Sequence, residues 1–212
     1  MIRIALTKGR IEKEAIRLLS ASGYDTTELD TDKRGRKLLF KLGNEDVEIV
    51  LAKAPDVITY VEHGVCDAGV VGKDTIMEQG KVFYELLDLG FGACKFALAG
   101  PKGKNFYEGC GRKVIASKYP KVAREYFLER GIDVEVVKIE GSVELAPLLG
   151  LSDAIVDIVE TGSTLKENNL EVIEKFMPIS ARLIANKSGF KFKSEIIEQI
   201  KNKLYEQVKN RD

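Results

Sequence analysis

The chain has 212 residues, which is long enough for one large or two small domains with a well-buried core. Hydrophobic residues make up 44% of it and charged residues 31%, as in an ordinary soluble globular protein. The 33 basic and 33 acidic side chains cancel to a formal net charge of zero. No nucleic-acid-binding face is therefore predicted, although a local basic site for a small anion is compatible with this balance.

The cysteines and the N-terminus indicate the compartment. Cys66, Cys94 and Cys110 are an odd number, lie far apart and form no C-x-x-C pair, so neither a disulfide framework nor a zinc site is expected. The apolar run at residues 1–6 is broken at once by Lys8, which fits neither a signal peptide nor a membrane span. The sequence thus predicts a reducing cytoplasm and no membrane association.

The first residues predict the start of a parallel α/β unit. Residues 2–6 suit a buried strand, and apolar positions from Ile11 onward recur at helical spacing. Between them, Lys8, Gly9 and Arg10 form a basic turn at the carboxyl end of the strand, where open α/β sheets bind ligands. The alternative is that these are simply solvated loop charges.

A hairpin is predicted next, with strands at residues 38–42 and 47–52 joined by a turn at residues 43–46. The charged loop at residues 32–37 contains basic residues that could reach a phosphate, but a solvated loop is the simpler interpretation. Residues 90–92 read Gly-Phe-Gly, without the third glycine of a dinucleotide-binding fingerprint and before a strand rather than after one, so that function is excluded.

Lys53 leads into a helix with Pro55 in a starting position. That helix ends at His63, the only histidine, which Gly64 follows, so His63 is interpreted as a C-terminal cap rather than a catalytic residue. Residues 67–74 then predict a strand that runs into a helix capped by Asp74.

Strand and helix signals continue to alternate through the second half, which indicates a second, similar α/β lobe. The predicted elements are extended segments at residues 82–89, 113–117, 134–139, 171–177 and 180–186, and helices at residues 120–130, 143–149 (capped by Ser142) and 194–208.

The most informative stretch is a buried strand at residues 154–159, with Asp157 in its middle, that runs into Glu160 and the hydroxyl-rich turn 161–164. Gly162 permits a sharp turn, and the amide groups of Gly162, Ser163 and Thr164 would form an anion cradle at a helix N-terminus. The alternative is an ordinary joint in which Thr161 or Ser163 caps the helix. The two acids suit a ribose hydroxyl, a magnesium ion or a developing positive charge.

Over nearly its full length the chain resembles the short form of ATP phosphoribosyltransferase, the enzyme that opens histidine biosynthesis. The most specific part of the resemblance spans residues 140–147 and 157–165. The remaining matching segments are Ala5-Leu6-Thr7-Lys8-Gly9-Arg10, residues 56–64 and residues 67–74.

The resemblance implies an α/β fold of two lobes, similar to type II periplasmic binding proteins, with the ligand cleft between the lobes. Lobe one would comprise residues 1–91 plus 180–212, on the ATP and pyrophosphate side. Lobe two would comprise residues 92–179 and carry the phosphoribosyl-binding loop. The C-terminal helix would pack back on lobe one.

The implied reaction joins N1 of the ATP adenine to the anomeric carbon of phosphoribosyl pyrophosphate and releases pyrophosphate. The ribose 5-phosphate is assigned to Thr161, Gly162, Ser163 and Thr164. Asp157, and less directly Glu160, would bind the ribose hydroxyls or a magnesium ion that is held largely through the substrate.

The resemblance assigns the remaining roles to residues of lobe one and to Glu144. Lys8 and Arg10, with Gly9 between them and Lys53 as a weaker candidate, would face the pyrophosphate or the ATP phosphates. Glu144 would order the wall of the site, or else be a helix-surface residue.

Three positions depart from the family pattern: Lys53 replaces a frequent arginine, Ile58 a usual proline and Ser163 a frequent arginine. A lysine keeps the charge at position 53 but loses the bidentate fork, and Ser163 removes a charge beside the cradle. Two other functions stay open: a non-catalytic two-lobed module that binds an anionic metabolite, and a phosphoribosyltransferase for another base.

The sequence stops at Asp212, without the regulatory domain of long-form relatives. The resemblance therefore implies a separate, synthetase-like regulatory subunit that confers histidine feedback. The implied assembly is a hetero-octamer that contains homodimers of this chain.

Overall fold

The computed structural model describes residues 1–30, 34–43, 46–80, 83–109 and 111–210. The chain forms two compact units, one of Met1–Gly92 with Ser180–Asp212 and the other of Ala93–Ile179. The predicted boundaries fall after residues 91 and 179, whereas the two units divide after residues 92 and 179. Residues 32, 33, 44, 45 and 82 and Cys110, which entered the sequence predictions, lie outside the described residues.

The helices and strands are given in chain order. Up to residue 92 they are β1 (Ile2–Thr7), α1 (Arg10–Ala21), a 3-10 turn (Thr27–Leu29), β2 (Leu39–Lys41), β3 (Val47–Ala52), α2 (Ala54–Glu62), β4 (Ala68–Gly72), α3 (Lys73–Gln79) and β5 (Tyr84–Asp88). From residue 93 to residue 179 they are β6 (Cys94–Pro101), β7 (Lys113–Ser117), α4 (Pro120–Leu128), β8 (Val134–Lys138), α5 (Leu145–Leu148), β9 (Ala154–Val159), α6 (Ser163–Glu167) and β10 (Leu170–Ile179). The chain then adds β11 (Ala181–Ala185) and α7 (Lys187–Lys209).

In the described part of the first unit, a six-stranded sheet has the order β2-β3-β1-β4-β11-β5. Its strands β3, β1 and β4 are parallel, and β1 is paired with β3 so that Thr7 lies opposite Ala52. The carboxyl ends of these strands therefore share one edge. Helices α1 and α7 cover one face of the sheet through Leu18, Ile197 and other apolar residues, and α2 packs in a separate buried cluster.

In the described part of the second unit, a five-stranded sheet has the order β10-β6-β9-β7-β8. Strands β7, β8 and β9 are parallel, whereas β6 and β10 run antiparallel to their neighbours. The buried residues of α5 and α6, Ala146 and Leu165, pack in one cluster with Ile155 and Val159 of β9. The carboxyl end of β9 therefore lies at the same edge of the sheet as the carboxyl ends of β7 and β8.

Two predicted helix caps were wrong. Helix α3 begins at Lys73 after Gly72, so Asp74 lies inside its first turn rather than at its cap. Ser142 has a left-handed φ of 50°, and the short helix α5 begins only at Leu145, with Glu144 at the N-cap position. In both cases a polar residue near the start of the predicted helix suggested a cap, but the backbone enters the helix at another residue.

The last helix starts seven residues earlier than predicted, at Lys187 instead of Ser194. Asn186 caps it by accepting a hydrogen bond from the Gly189 amide at 2.7 Å. The helix is kinked at Lys193, whose φ and ψ are not helical. The ammonium group of Lys193 donates to the main-chain oxygen of Met1 and pairs with the carboxylate of Asp67, contacts that helical periodicity does not reveal.

Gly69 provides a test of how α2 packs on the first sheet. A Cβ atom added at Gly69 would lie 2.8 Å from Val57 Cγ1 and 2.9 Å from Val61 Cγ2. We expect Gly69→Ala to lower the free energy of unfolding by about 1–3 kcal/mol, because overpacking displaces α2 from β4. The matched control is Gly141→Ala, since a Cβ atom there meets nothing within 4 Å. Equal urea midpoints for the two variants would contradict the packing.

Candidate functional site

A cavity of about 260 Å³ lies at the carboxyl end of β9 in the second unit. The residues that line it include all those predicted for the phosphoribosyl side of the site: Glu144, Asp157, Glu160, Thr161, Gly162, Ser163 and Thr164. The structure thus brings together side chains from β9, from the following turn and from the start of α5.

The turn after β9 is built around Gly162, which has a left-handed φ of 78° and is the N-cap residue of α6. Neither Thr161 nor Ser163 therefore occupies the cap position, although the Thr161 hydroxyl accepts a hydrogen bond from the Ser163 amide as a capping side chain would. The hydroxyls of Thr161 and Ser163 lie 3.1 Å apart, and the Ser163 amide lies 3.4 Å from Thr161 Oγ1. The first amides of a helix have no acceptor within it, so this turn offers N–H and O–H donors to an anion.

Helix α6 spans only Ser163–Glu167, so its dipole adds little to anion binding. The donors of the turn itself are the stronger argument for a phosphate site.

The acids of the cavity differ in their surroundings. Asp157 is half-buried in β9 opposite Ala97, and its Oδ1 accepts a hydrogen bond from the Ile158 amide at 2.8 Å. Glu144 is also half-buried, whereas Glu160 is exposed. Among the described residues that line the cavity, none is basic. A phosphate must therefore be held here by amides and hydroxyls, and the carboxylates favour a cation or a cation-like centre beside it.

The carboxylates alone do not form a metal centre. In the described parts of the chain, no group of three or more His, Cys, Asp or Glu side chains is placed to hold a metal ion. Magnesium commonly keeps several waters and binds through one or two carboxylates plus substrate phosphates. Asp157 fits a site of that kind, in which the substrate supplies most of the ligands.

The other predicted residues lie together in the first unit. The Lys8 amide donates to the Ala52 carbonyl at 2.9 Å, and Lys53 directly follows Ala52. Lys8 and Lys53 therefore extend from neighbouring parallel strands. Gly9, with φ of 101°, turns the chain into α1, which begins at Arg10. All four residues are exposed, which is compatible both with phosphate binding and with the alternative of solvated loop charges.

His63 is placed as predicted, at the C-cap of α2, where its amide donates to the Thr59 carbonyl at 3.0 Å. It does not line the cavity of the second unit.

The sequence did not lead us to Glu12, whose carboxylate fixes the turn at residues 8–10. Its Oε2 accepts a hydrogen bond from the Gly9 amide at 3.1 Å, and its Oε1 pairs with the Arg34 guanidinium. Only 4% of Glu12 is exposed. A signal was present, because a glutamate three residues after a helix cap is the second half of a capping box. The electrostatic partner Arg34 is 22 positions away and could not be paired from spacing.

Replacing Glu12 tests whether this carboxylate organises the turn. We expect Glu12→Ala to cost about 3 kcal/mol of unfolding free energy, because it leaves Arg34 without its carboxylate and Gly9 without its acceptor. Glu14→Ala in the same helix is the control, since Glu14 pairs with Arg17, which is 70% exposed, and should cost less than ~0.5 kcal/mol. Thermal or urea unfolding measures both, and similar losses would contradict the role of Glu12.

Comparison with known proteins decides the family. The matching family model is described as ATP phosphoribosyltransferase and covers residues 53–206. The chain belongs to the ATP phosphoribosyltransferase family. Two relatives of that name are the protein from Clostridium kluyveri, 60% identical over 98% of this chain and 94% of its own length, and the protein from Clostridium acetobutylicum, 55% identical over 95% and 94%.

Solved structures agree with this membership. A chain of the ATP phosphoribosyl transferase (HisG:HisZ) complex from Thermotoga maritima matches with a TM-score of 0.83 and 34% identity, over 99% of this chain and 100% of that one. The VFT2 domain of BvgS from Bordetella pertussis matches with a TM-score of 0.61 and 13% identity, over 96% of this chain and 86% of that one. The second match shows the fold alone, and the predicted two-lobed α/β class is confirmed.

Proposed function

We propose that the chain is the catalytic ATP phosphoribosyltransferase of histidine biosynthesis, which joins ATP and phosphoribosyl pyrophosphate in the first step of that route. The observation that carries the proposal is the cavity of the second unit, where a turn rich in N–H and O–H donors adjoins Asp157 and Glu144. A phosphoribosyl group requires hydrogen-bond donors for its phosphate and, beside them, carboxylates for its ribose. A bare anion-binding module has no use for the acids, and a relative that is 60% identical carries the enzyme's name.

In this reaction a bond forms between N1 of the adenine and the anomeric carbon of the ribose. The bond between that carbon and the pyrophosphate oxygen breaks, and its electron pair leaves with pyrophosphate. The ribosyl centre becomes cation-like in the transition state, as in other glycosyl transfers. No general base is required, because adenine N1 carries a free lone pair. Positioning can then supply about 7–11 kcal/mol of the barrier reduction, and electrostatics most of the rest.

Each group of residues has one task in this proposal. Thr161, Gly162, Ser163 and Thr164 hold the ribose 5-phosphate. Asp157 stabilises the ribose hydroxyls and the cation-like carbon, and Glu160 supports it from the exposed rim. Glu144, at the start of α5, orders the wall of the cavity.

The basic residues of the first unit are assigned to the remaining phosphates of the substrates. Lys8, Arg10 and Lys53 bind the pyrophosphate or the ATP phosphates, and Gly9 supplies the turn that exposes them. Magnesium, when bound, neutralises pyrophosphate, and Asp157 is the carboxylate that we assign to it.

We also propose that the chain assembles with a regulatory subunit that resembles a synthetase and confers histidine feedback. The similar Thermotoga maritima chain occurs in a complex of two named components, HisG and HisZ. The homodimer, the hetero-octamer and the cytoplasmic location stay predictions. Among the described residues, no helix is both long and apolar enough to cross a membrane.

The deciding experiment combines the purified chain with ATP, phosphoribosyl pyrophosphate and magnesium, with and without the regulatory partner, and follows pyrophosphate release and adduct formation. We expect an adduct of ATP, greater turnover with the partner and loss of turnover when a chelator removes magnesium. No product in either mixture would exclude the enzyme, and release with another base but not with ATP would indicate a different phosphoribosyltransferase. Full activity in excess chelator would remove the metal from the proposal.

Asp157→Asn tests the acid that we place beside the ribose. The substitution keeps the shape of the side chain and removes its charge, so turnover should fall at least ~100-fold while the circular dichroism spectrum and melting temperature change little. Glu167→Gln is the control, because Glu167 is exposed in α6 and does not line the cavity. If Asp157→Asn and Glu167→Gln turn over at the same rate, Asp157 does not belong to the site.

A further inference from the structure

A second and larger cavity lies beside the first in the same unit. It is a groove between α6 and β10, with a volume of about 630 Å³. Here it is called the α6–β10 groove. It shares Val159, Thr161, Gly162 and Leu165 with the candidate site, but neither Asp157 nor Glu144 lines it. The turn after β9 therefore has a cavity on each side, and only one of them has been assigned a ligand.

The charges of the two cavities are opposite. Glu144, Asp157 and Glu160 line the candidate site, whereas Lys102, Lys166 and Lys175 line the groove. These lysines come from three places: just after β6, the last turn of α6 and the middle of β10. All three are exposed, and within the described residues none has a carboxylate partner.

One acid, Glu171, also lines the groove. Its Oε1 accepts a hydrogen bond from the Gly103 amide at 2.9 Å, and among the described residues it forms no ion pair with the three lysines. The groove thus carries an excess of positive charge.

The floor of the groove is apolar, formed by Val159, Leu165, Leu170 and Val172, which are buried or half-buried. An apolar floor with a few polar groups at the rim is typical of small-molecule sites, and the volume lies within the range of about 300–1,000 Å³ for such pockets. Three lysines without carboxylate partners among the described residues favour a ligand with more than one negative charge. The apolar floor favours a ligand that also has an apolar organic part. Inorganic phosphate alone would leave most of the groove unfilled.

We propose that the α6–β10 groove is a second binding site, for a small organic anion that carries at least two phosphate groups. Lys102, Lys166 and Lys175 bind the phosphates, and the apolar floor receives the organic part. Thr161 and Gly162 border both cavities, so the ligand contacts the turn that we assign to the ribose 5-phosphate. Only this last statement rests on the proposed function.

Lysine footprinting tests the groove without relying on turnover. The full chain is acylated briefly with a water-soluble amine reagent, with and without ADP as the probe, and each lysine is quantified by mass spectrometry. We expect ADP to slow acylation of Lys102, Lys166 and Lys175 by about 2- to 3-fold at a concentration that fills two-thirds of the sites, where complete protection of the bound chains gives a 3-fold limit. Lys104 and Lys121, exposed lysines of the same unit outside the groove, are the internal controls.

Two variants show where the probe binds. In Asp157→Asn the protection of the three lysines should persist, because Asp157 does not line the groove. In Lys175→Gln the protection of Lys102 and Lys166 should be lost, because the three act on one ligand. Circular dichroism confirms that both variants fold.

The proposal is overturned by any of three results. The first is no protection in the wild-type chain, and the second is equal protection of Lys104 and Lys121, which would mean general charge screening. The third is protection that disappears in Asp157→Asn but survives in Lys175→Gln, which would place the probe in the candidate site. A chain that fails to form the ATP adduct but still shows the protection pattern would refute the proposed function and leave the groove standing.

Discussion

Strands β1, β3 and β4 of the first unit, and β7 and β9 of the second, are parallel and largely buried. A buried strand cannot offer unpaired polar groups along its length, because each would lose water without gaining a partner. The polar groups that bind a ligand must therefore come from the residues just beyond the strand ends. Most candidate residues obey this constraint, with Lys8 and Lys53 following β1 and β3 and Glu160 to Thr164 following β9. Asp157 is the exception, since it lies inside β9, where its carboxylate is half-buried and accepts a hydrogen bond from the Ile158 amide.

The constraint also explains what could be predicted from the sequence. A strand, a glycine-containing turn and a helix start are adjacent in the chain, so the turns at Gly9 and Gly162 were predicted correctly as local structures. Glu144 could be added to the candidate site only through resemblance, because Glu144 and Asp157 are 13 positions apart and meet through the fold. The partners of Glu12 and Lys193 show the same limit, since Arg34 and Asp67 come from distant segments.

The wrong predictions have a common physical origin. Asp74 and Ser142 both have cap chemistry, but a cap also needs the right backbone conformation at the right residue. The extended Gly72 takes the position before α3, and Ser142 adopts a left-handed φ. The early start of α7 was missed because its first turns lack a continuous apolar stripe, while the cap by Asn186 and the contacts of Lys193 stabilise them instead.

The net charge of zero conceals an uneven distribution within the second unit. The turn after β9 has acids on one side and, on the other, lysines that have no carboxylate partner in the described part of the chain. The turn at residues 160–164 contains no basic side chain, so it has no cation of its own to hold a phosphate. The groove lysines supply positive potential to that turn from behind, and this potential is only partly screened over such short distances. If the cradle and the groove both bind anions as we propose, the two anions would repel each other across Gly162, and by linkage each would lower the affinity for the other.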